Sequence, residues 1–173
     1  MKCTDLLLQD HKIMLRALDV LEEIAAKVQR DEPVEPADFE VILRFLRVFG
    51  DEYHQAKEES ALFPVLMRTA SSQQRSLRHM LFEHDQERSL VEGPEEALKT
   101  KKGIDFVHYA NRLSSLLRNH IYKEDHILFD VVDKSLSEQQ DEEVVAEFQK
   151  FEAPVELCNQ LHKLEWEYHR KTA

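Results

Sequence analysis

Two stretches of the chain repeat one another, and together they leave little freedom in how it can fold. The first is His54-Gln55-Ala56-Lys57-Glu58-Glu59-Ser60-Ala61-Leu62-Phe63-Pro64, the second His120-Ile121-Tyr122-Lys123-Glu124-Asp125-His126-Ile127-Leu128-Phe129-Asp130. Each has His and Glu four residues apart, Lys directly before the Glu, and Leu-Phe five residues after the Lys. Positions i and i+4 of an α-helix stack on one face with Cβ atoms about 5–6 Å apart. Each copy therefore points an imidazole and a carboxylate the same way, as a metal-binding hand.

Both copies sit inside long runs of three-or-four apolar spacing, the signature of helices burying one face. Thr4 or Asp5 can cap a first helix carrying Leu7, His11, Met14, Leu18, Leu21 and Ile24 on one stripe and running to about Arg30. A polar, proline-bounded connection over 31–36 follows. The second helix starts near Ala37 or Asp38 and carries Ile42, Phe45, Phe49, His54, Glu58 and Leu62; Pro64 is expected to kink or end it, with 65–67 adding a turn. Ser71-Ser72-Gln73-Gln74 resembles a cap for a third helix with Leu77, Met80, His84 and Val91, which Gly93-Pro94 is expected to stop. Residues 95–103 read as a loop or a loose extension. A fourth helix, about Ile104 to Lys134, presents Val107, Leu113, Leu117, His120, Glu124 and Leu128. Ser137-Glu138-Gln139-Gln140 resembles a capping box before a segment from Glu142 to Phe151, and Pro154 suits the first turn of a last helix ending near Arg170.

The expected fold is all-α: an up-down-up-down four-helix bundle over 1–134, with 135–173 as a C-terminal helical extension packing on it within the same domain. Helix heights test this arrangement. From His11 to the end of the first helix is about 19 residues, and from the start of the second to His54 about 17, nearly the same height at about 1.5 Å per residue. Glu58 and His84 match across the next turn at about 11 and 12 residues. The third hairpin matches less well, since a third helix ending at Gly93-Pro94 leaves about 12 Å for residues 93–103 to climb. One layer of the bundle then collects His11, His54, Glu58, His84, His120 and Glu124.

Four imidazoles and two carboxylates buried together are costly without a compensating ion. Imidazole nitrogen suits Fe, Zn, Cu or Ni, and carboxylates can bridge two ions. With two His per metal and both Glu bridging, a dinuclear site held by oxide or hydroxide leaves an open position for a small ligand. Other arrangements fail on spacing. No Glu stands three residues before a His, as a ferritin-type site requires, and His-Glu-x-x-His is absent. At about 100° per residue, His79, His108 and His126 turn well away from the ligand face of their helices. His162 and His169 share a face with Glu165, which reads as a solvated polar surface.

The order His11, His54-x3-Glu58, His84, His120-x3-Glu124, with Lys-Glu-Glu/Asp-x-x-Leu-Phe tails on both motifs, resembles the hemerythrin-like, or HHE cation-binding, family over about residues 5–134. The resemblance implies a non-haem di-iron centre of two iron ions, with His11, His54, His84 and His120 as terminal ligands and Glu58 and Glu124 as bridges. Oxygen-carrying members have a second His four residues from the third-helix ligand, where this chain has Met80 and Arg88, so oxygen carriage is not the expectation. Their fourth-helix acid is an Asp five residues after His, a spacing Asp125 matches, although Glu124 is better aimed. The four-His, two-Glu set is similar to that of iron-sulfur repair proteins and of iron- or oxygen-responsive regulatory domains. Repair relatives often carry an N-terminal cysteine-bearing domain, whereas Cys3 is a single thiol before His11.

Net charge and composition narrow the partners. The formal charge is −11, which argues against nucleic acid or an anionic membrane. No segment approaches a membrane span, the N-terminal apolar run is too short for a signal core, and Cys3 and Cys158 read as free thiols of a cytoplasmic protein. Gly50, one turn before His54 on the same face, reads either as a close helix contact or as space beside the metals for a diatomic ligand or an access path. Tyr53, Tyr109 and Tyr122 read as packing residues. Two functions remain open: a protein binding or reacting with O2, NO or peroxide, in oxidative or nitrosative stress, or an iron- or oxygen-sensing module without turnover, docking a protein partner through 137–173. Whether it is an enzyme is left undecided by the residues themselves.

Overall fold

The computed structural model describes residues 1–70, 74–100 and 103–169, with side chains to Tyr168. Every regular element among them is helical: α1 (Cys3–Gln29), α2 (36–69), α3 (Gln74–Lys99), α4 (103–135), α5 (Glu138–Phe148) and α6 (Val155–His169). The first four form the up-down-up-down bundle, α4 packing against α3 and α1 and α2 completing the set; α5 and α6 lie on α1 and α2. No helix among the described residues is long and apolar enough to cross a membrane.

Helix starts and stops follow local chemistry, with some corrections to the expected boundaries. α1 begins at Cys3, one residue before the expected cap, and the Lys2 backbone N–H donates to Asp5 Oδ2 at 2.9 Å. Asp31, in left-handed conformation at φ 58°, follows the end of α1. α5 starts at Glu138 rather than Glu142, because Ser137 and Gln140 form the expected capping box: the Gln140 N–H donates to Ser137 Oγ and the Ser137 N–H to Gln140 Oε1. The cap proposed for Ser71-Ser72-Gln73, Lys101 and Lys102 of the supposed loop, and the helix end at Arg170 lie outside the described residues.

Two prolines behave differently from the expectation. Pro64 neither ends nor breaks α2, which continues through Phe63–Thr69 after a π-helical turn at Glu58–Leu62. A wider turn tolerates the missing proline donor by relaxing the i−4 hydrogen-bond pattern. Pro94 lies inside α3, so Gly93-Pro94 does not stop that helix and residues 95–99 belong to it rather than to a loop. Gly93 is required there by a close approach, since a Cβ would lie 2.6 Å from Cδ1 of Tyr109. The extra turns of α3 remove the height mismatch in the third hairpin: about 15 residues follow His84 in α3 and about 17 precede His120 in α4.

The core is split. One apolar cluster runs from Met14 to Ala25 on α1 across Ile42–Phe49, Phe106–Ile121 and Leu157–Tyr168. The other gathers Cys3, Leu7, Leu62, Phe63, Leu66, Leu77, Met80, Leu128, Phe129 and Phe148. Between them lies a buried polar layer.

Candidate metal centre

That layer holds all six residues picked out by spacing. His11 comes from α1, His54 and Glu58 from α2, His84 from α3, and His120 and Glu124 from α4, each 2% exposed or less. His54, Glu58 and Glu124 lie in π-helical turns (Leu46–Gln55, Glu58–Leu62 and Glu124–Leu128), a local widening that often accompanies functional sites.

The imidazoles meet in two pairs. His11 Nε2 is 3.0 Å from His54 Nε2, and His84 Nε2 is 3.1 Å from His120 Nε2. Both pairs are edge-on, with interplanar angles of 61°. The glutamates lie across the pairs. Glu124 Oε2 is 3.2 Å from His11 Nε2 and its Oε1 3.2 Å from His120 Nε2, while Glu58 Oε2 is 3.7 Å from His54 Nε2 and 3.5 Å from His84 Nε2. Two four-residue groups result, His11/His54/Glu58/Glu124 and Glu58/His84/His120/Glu124, each with ligand atoms within 4.8 Å of one another. They share both carboxylates.

Behind every imidazole stands a carboxylate. Nδ1 of His11 pairs with Asp125 at 2.6 Å, of His54 with Asp10 at 3.2 Å, of His84 with Glu59 at 2.7 Å and of His120 with Glu83 at 2.9 Å. Such pairing fixes the ring and leaves Nε2 as the donor lone pair toward the centre. The motif lysines hold two of these carboxylates: buried Lys57 donates to Asp10, with its ammonium 3.8 Å from the Tyr53 ring centroid, and Lys123 donates to Glu83. The Leu-Phe tails also find their role, Phe63 stacking on His84 and Phe129 on His11.

These contacts obey a pseudo-twofold relation between α1–α2 and α3–α4. Asp10-His11 corresponds to Glu83-His84, and His54…Lys57-Glu58-Glu59 to His120…Lys123-Glu124-Asp125. The acid before each lone His supports the motif His of its own half; the acid after each motif Glu crosses to the lone His of the other. Spacing alone missed Asp10, Glu59 and Glu83, and offered Asp125 only as an alternative to Glu124. The available signal was an acidic neighbour at every ligand position in both halves. Asp125 thus stands behind His11, and Glu124 is the acid facing the interior.

Electrostatics show what the layer lacks. All four oxygens of Glu58 and Glu124 are buried without a hydrogen-bond partner among the described residues. Burial and the facing Glu124 push the Glu58 carboxyl well above its usual range, while His120 and His11 hold Glu124 low against its burial. Burial alone would lower His11, but Asp125 and Glu124 raise it to about 9, whereas burial takes His54 down to about 4 against the pull of Asp10. The second pair splits the same way, burial lowering His84, and Glu124 and Glu83 raising His120 against its burial. Each facing pair thus joins one imidazole held toward its charged form with one held toward its neutral form. A cation between them would satisfy the orphaned carboxylates; the donor set of imidazole nitrogen and carboxylate oxygen fits iron.

The remaining histidines do not join the ligand set. His79, His108 and His126 are exposed, His79 meeting the carboxylate behind His120 from outside, with Nε2 3.2 Å from Glu83 Oε1, and His126 stacking on exposed Tyr122; exposed His162 pairs with Glu165, and the His169 side chain lies outside the described residues. Met80 belongs to the second apolar cluster, and Arg88 is tied to Asp51, Glu59 and Asp85.

A helical bundle with two adjoining His/Glu groups in its core defines a metal-binding bundle. The family described as Hemerythrin HHE cation binding domain matches residues 3–132, and the chain belongs to that family. Comparisons with curated proteins and with solved structures returned no match.

Proposed function

We propose that the chain binds two iron ions, His11 and His54 serving one, His84 and His120 the other, with Glu58 and Glu124 bridging, and that the pair binds or reacts with O2, NO or peroxide in oxidative or nitrosative stress. The observation that carries this is the sharing of two unpartnered, fully buried carboxylates between two imidazole pairs. When bound, iron supplies electrons and open coordination positions for the ligand. The chain itself supplies the rest: four carboxylates that orient the imidazoles, two lysines that orient two of those carboxylates, and Phe63 and Phe129 that shield the lone histidines from water.

A second reading, iron or oxygen sensing without turnover, is favoured by one contact. Phe148 of α5 lies against Lys57, its ring centroid 5.5 Å from Nζ, so the C-terminal extension touches the network behind His54. Residues 137–173 would then transmit occupancy to a protein partner. The extension shares the bundle's core, with Leu157, Leu161 and Leu164 buried and Tyr168 donating to Asp38 at 2.7 Å, which supports one domain.

Metal analysis together with absorption spectra of anaerobic and aerobic preparations tests the centre. The expected result is two irons per chain, lost on His54→Ala or His120→Ala. Fewer than about one metal per chain, unaffected by both substitutions, would overturn it. Steady consumption of peroxide or NO by the iron-loaded protein selects the reactive function; reversible binding without consumption selects the sensor.

A further inference from the structure

The two halves of the centre depart from their pseudo-twofold relation in one place. Three residues after His84 stands Glu87, where the other half has Met14; directly after His54 stands Gln55, where the other half has Ile121. Gln55 Nε2 donates to Glu87 Oε2, and both residues are 3% exposed. The second oxygen of each, Gln55 Oε1 and Glu87 Oε1, is buried without a hydrogen-bond partner among the described residues.

Both side chains line a cavity of about 310 Å³ to which Met14, Gly50, Glu87 and Leu117 bring one residue from each bundle helix. Each of these four lies three or four residues from its helix's ligand histidine, on the side of the first apolar cluster, so the cavity is the layer next to the imidazoles. Glu87 Oε1 is 3.7 Å from His120 Nδ1. At Gly50 an added Cβ would meet only Met14 Cε, at 3.9 Å, so the glycine leaves the space open. The outer rim is Arg47, Asp51, Glu52, Arg88 and Glu92, which puts the mouth between α2 and α3.

We propose that this cavity binds hydrogen peroxide, held by hydrogen bonds from its two O–H groups to Gln55 Oε1 and Glu87 Oε1. This deepens the functional reading and rests on it for the centre that the bound peroxide adjoins. The chemistry of the free atoms selects the ligand. The Gln55 amide nitrogen is already committed to Glu87, so what remains is an amide oxygen and a carboxylate oxygen, and buried oxygens of this kind are expensive to leave unpaired. O2 and NO have no hydrogen to offer. An anion meets the Glu87 carboxylate and a rim whose arginines are tied up, Arg47 with Glu95 and Arg88 with Asp51 and Glu59. A small neutral molecule with two donors fits both acceptors.

Two measurements test this. Crystals of zinc-loaded protein, which is redox-inert, and of chelator-treated, metal-free protein are soaked in hydrogen peroxide. Two-atom density within hydrogen-bond distance of Gln55 and Glu87 is expected in both, and its loss in Gln55→Met. Ordered water alone in the soaked cavity would overturn the proposal, and the metal-free crystals decide this even if the chain proves to bind no iron. In solution, stopped-flow absorbance of the iron-loaded protein gives association rates for peroxide and NO. Gln55→Met is expected to lower the ratio of peroxide to NO rate about five- to tenfold, the worth of one hydrogen bond, at unchanged metal content. Gly50→Leu, which fills the cavity, is expected to slow both ligands. An unchanged ratio in Gln55→Met with metal retained refutes the role of the free oxygens.

Discussion

Replacing Glu87 by Gln should stabilise the metal-free protein increasingly as pH rises above about 5, and by its full amount above about 7. Glu87 is buried, and burial together with Glu124 and Glu83 raises its carboxyl from 4.5 to about 7 against the opposing pull of His120. A carboxyl raised in the folded state is a liability once ionised. The penalty is absent below the unfolded value of 4.5, grows as pH rises, and is complete above about 7. At about 1.4 kcal/mol per pH unit, the full penalty is about 3 kcal/mol at pH 8, falling to less than about 1 kcal/mol at pH 5. Gln removes the charge and keeps the shape. Weakening the bond from Gln55 returns about 1 kcal/mol, leaving a net gain of about 2 kcal/mol at pH 8. For a chain of this size that is about 4–8 °C in Tm. The assay is thermal denaturation by circular dichroism in the presence of a chelator at pH 5 and pH 8, wild type against Glu87→Gln. The variant should melt higher at pH 8 and within about 2 °C of wild type at pH 5. A gain of equal size at both pH values, or a loss at pH 8, would refute the assignment of the penalty to Glu87 ionisation.

Other outcomes follow from the same geometry. Asp10→Asn should weaken metal binding at the His11–His54 pair, and Glu83→Gln at the His84–His120 pair, by about 10–100-fold each, so competition with a chelator should strip one metal before the other, in opposite order in the two variants. Because His11 is held near 9 and His120 and Glu58 are pushed well above their usual ranges without a cation, uptake of divalent ions at pH 7 should release protons, measured from the buffer dependence of the calorimetric binding enthalpy. Glu83, held near 2 by His120 and Lys123 against its burial, contributes stability above 4.5 that is lost as pH falls toward 2; Glu83→Gln should flatten the acid limb of the metal-free stability curve there. Trp166, the single tryptophan, lies on α6, so unfolding followed by its fluorescence should coincide with unfolding followed by circular dichroism if bundle and extension are one domain, and separate midpoints would divide them.

The sequence made the ligand layer legible because two constraints coincided in it: a repeated His-x3-Glu motif and apolar stripes whose lengths place His11 and His84 at the same height. It was less informative about helix ends. Pro64 and Gly93-Pro94 are strong local stop signals, yet tertiary packing overrode both, a π turn accommodating the first and the Tyr109 ring on Gly93 accompanying the second. The carboxylates behind the imidazoles were in plain view as Asp10, Glu59, Glu83 and Asp125, but their roles depend on which helix each one faces. That is set by the crossing of the halves, which periodicity along one helix does not encode. The Gln55–Glu87 pair was unreadable for the same reason, its members lying 32 positions apart on different helices.

The crossing contacts have a mechanical meaning. His11 reaches Asp125 and His84 reaches Glu59, so each hairpin is pinned to the other at two points related by the pseudo-twofold axis. A seam of leucines would accept a slip of one helical turn, about 5.4 Å, with apolar groups still meeting apolar groups. Here the same slip would strand two imidazoles and two acids at once, and the motif glutamates would no longer face each other. The polar layer is therefore the registration mark of the bundle, keeping four helices in step before any cation arrives.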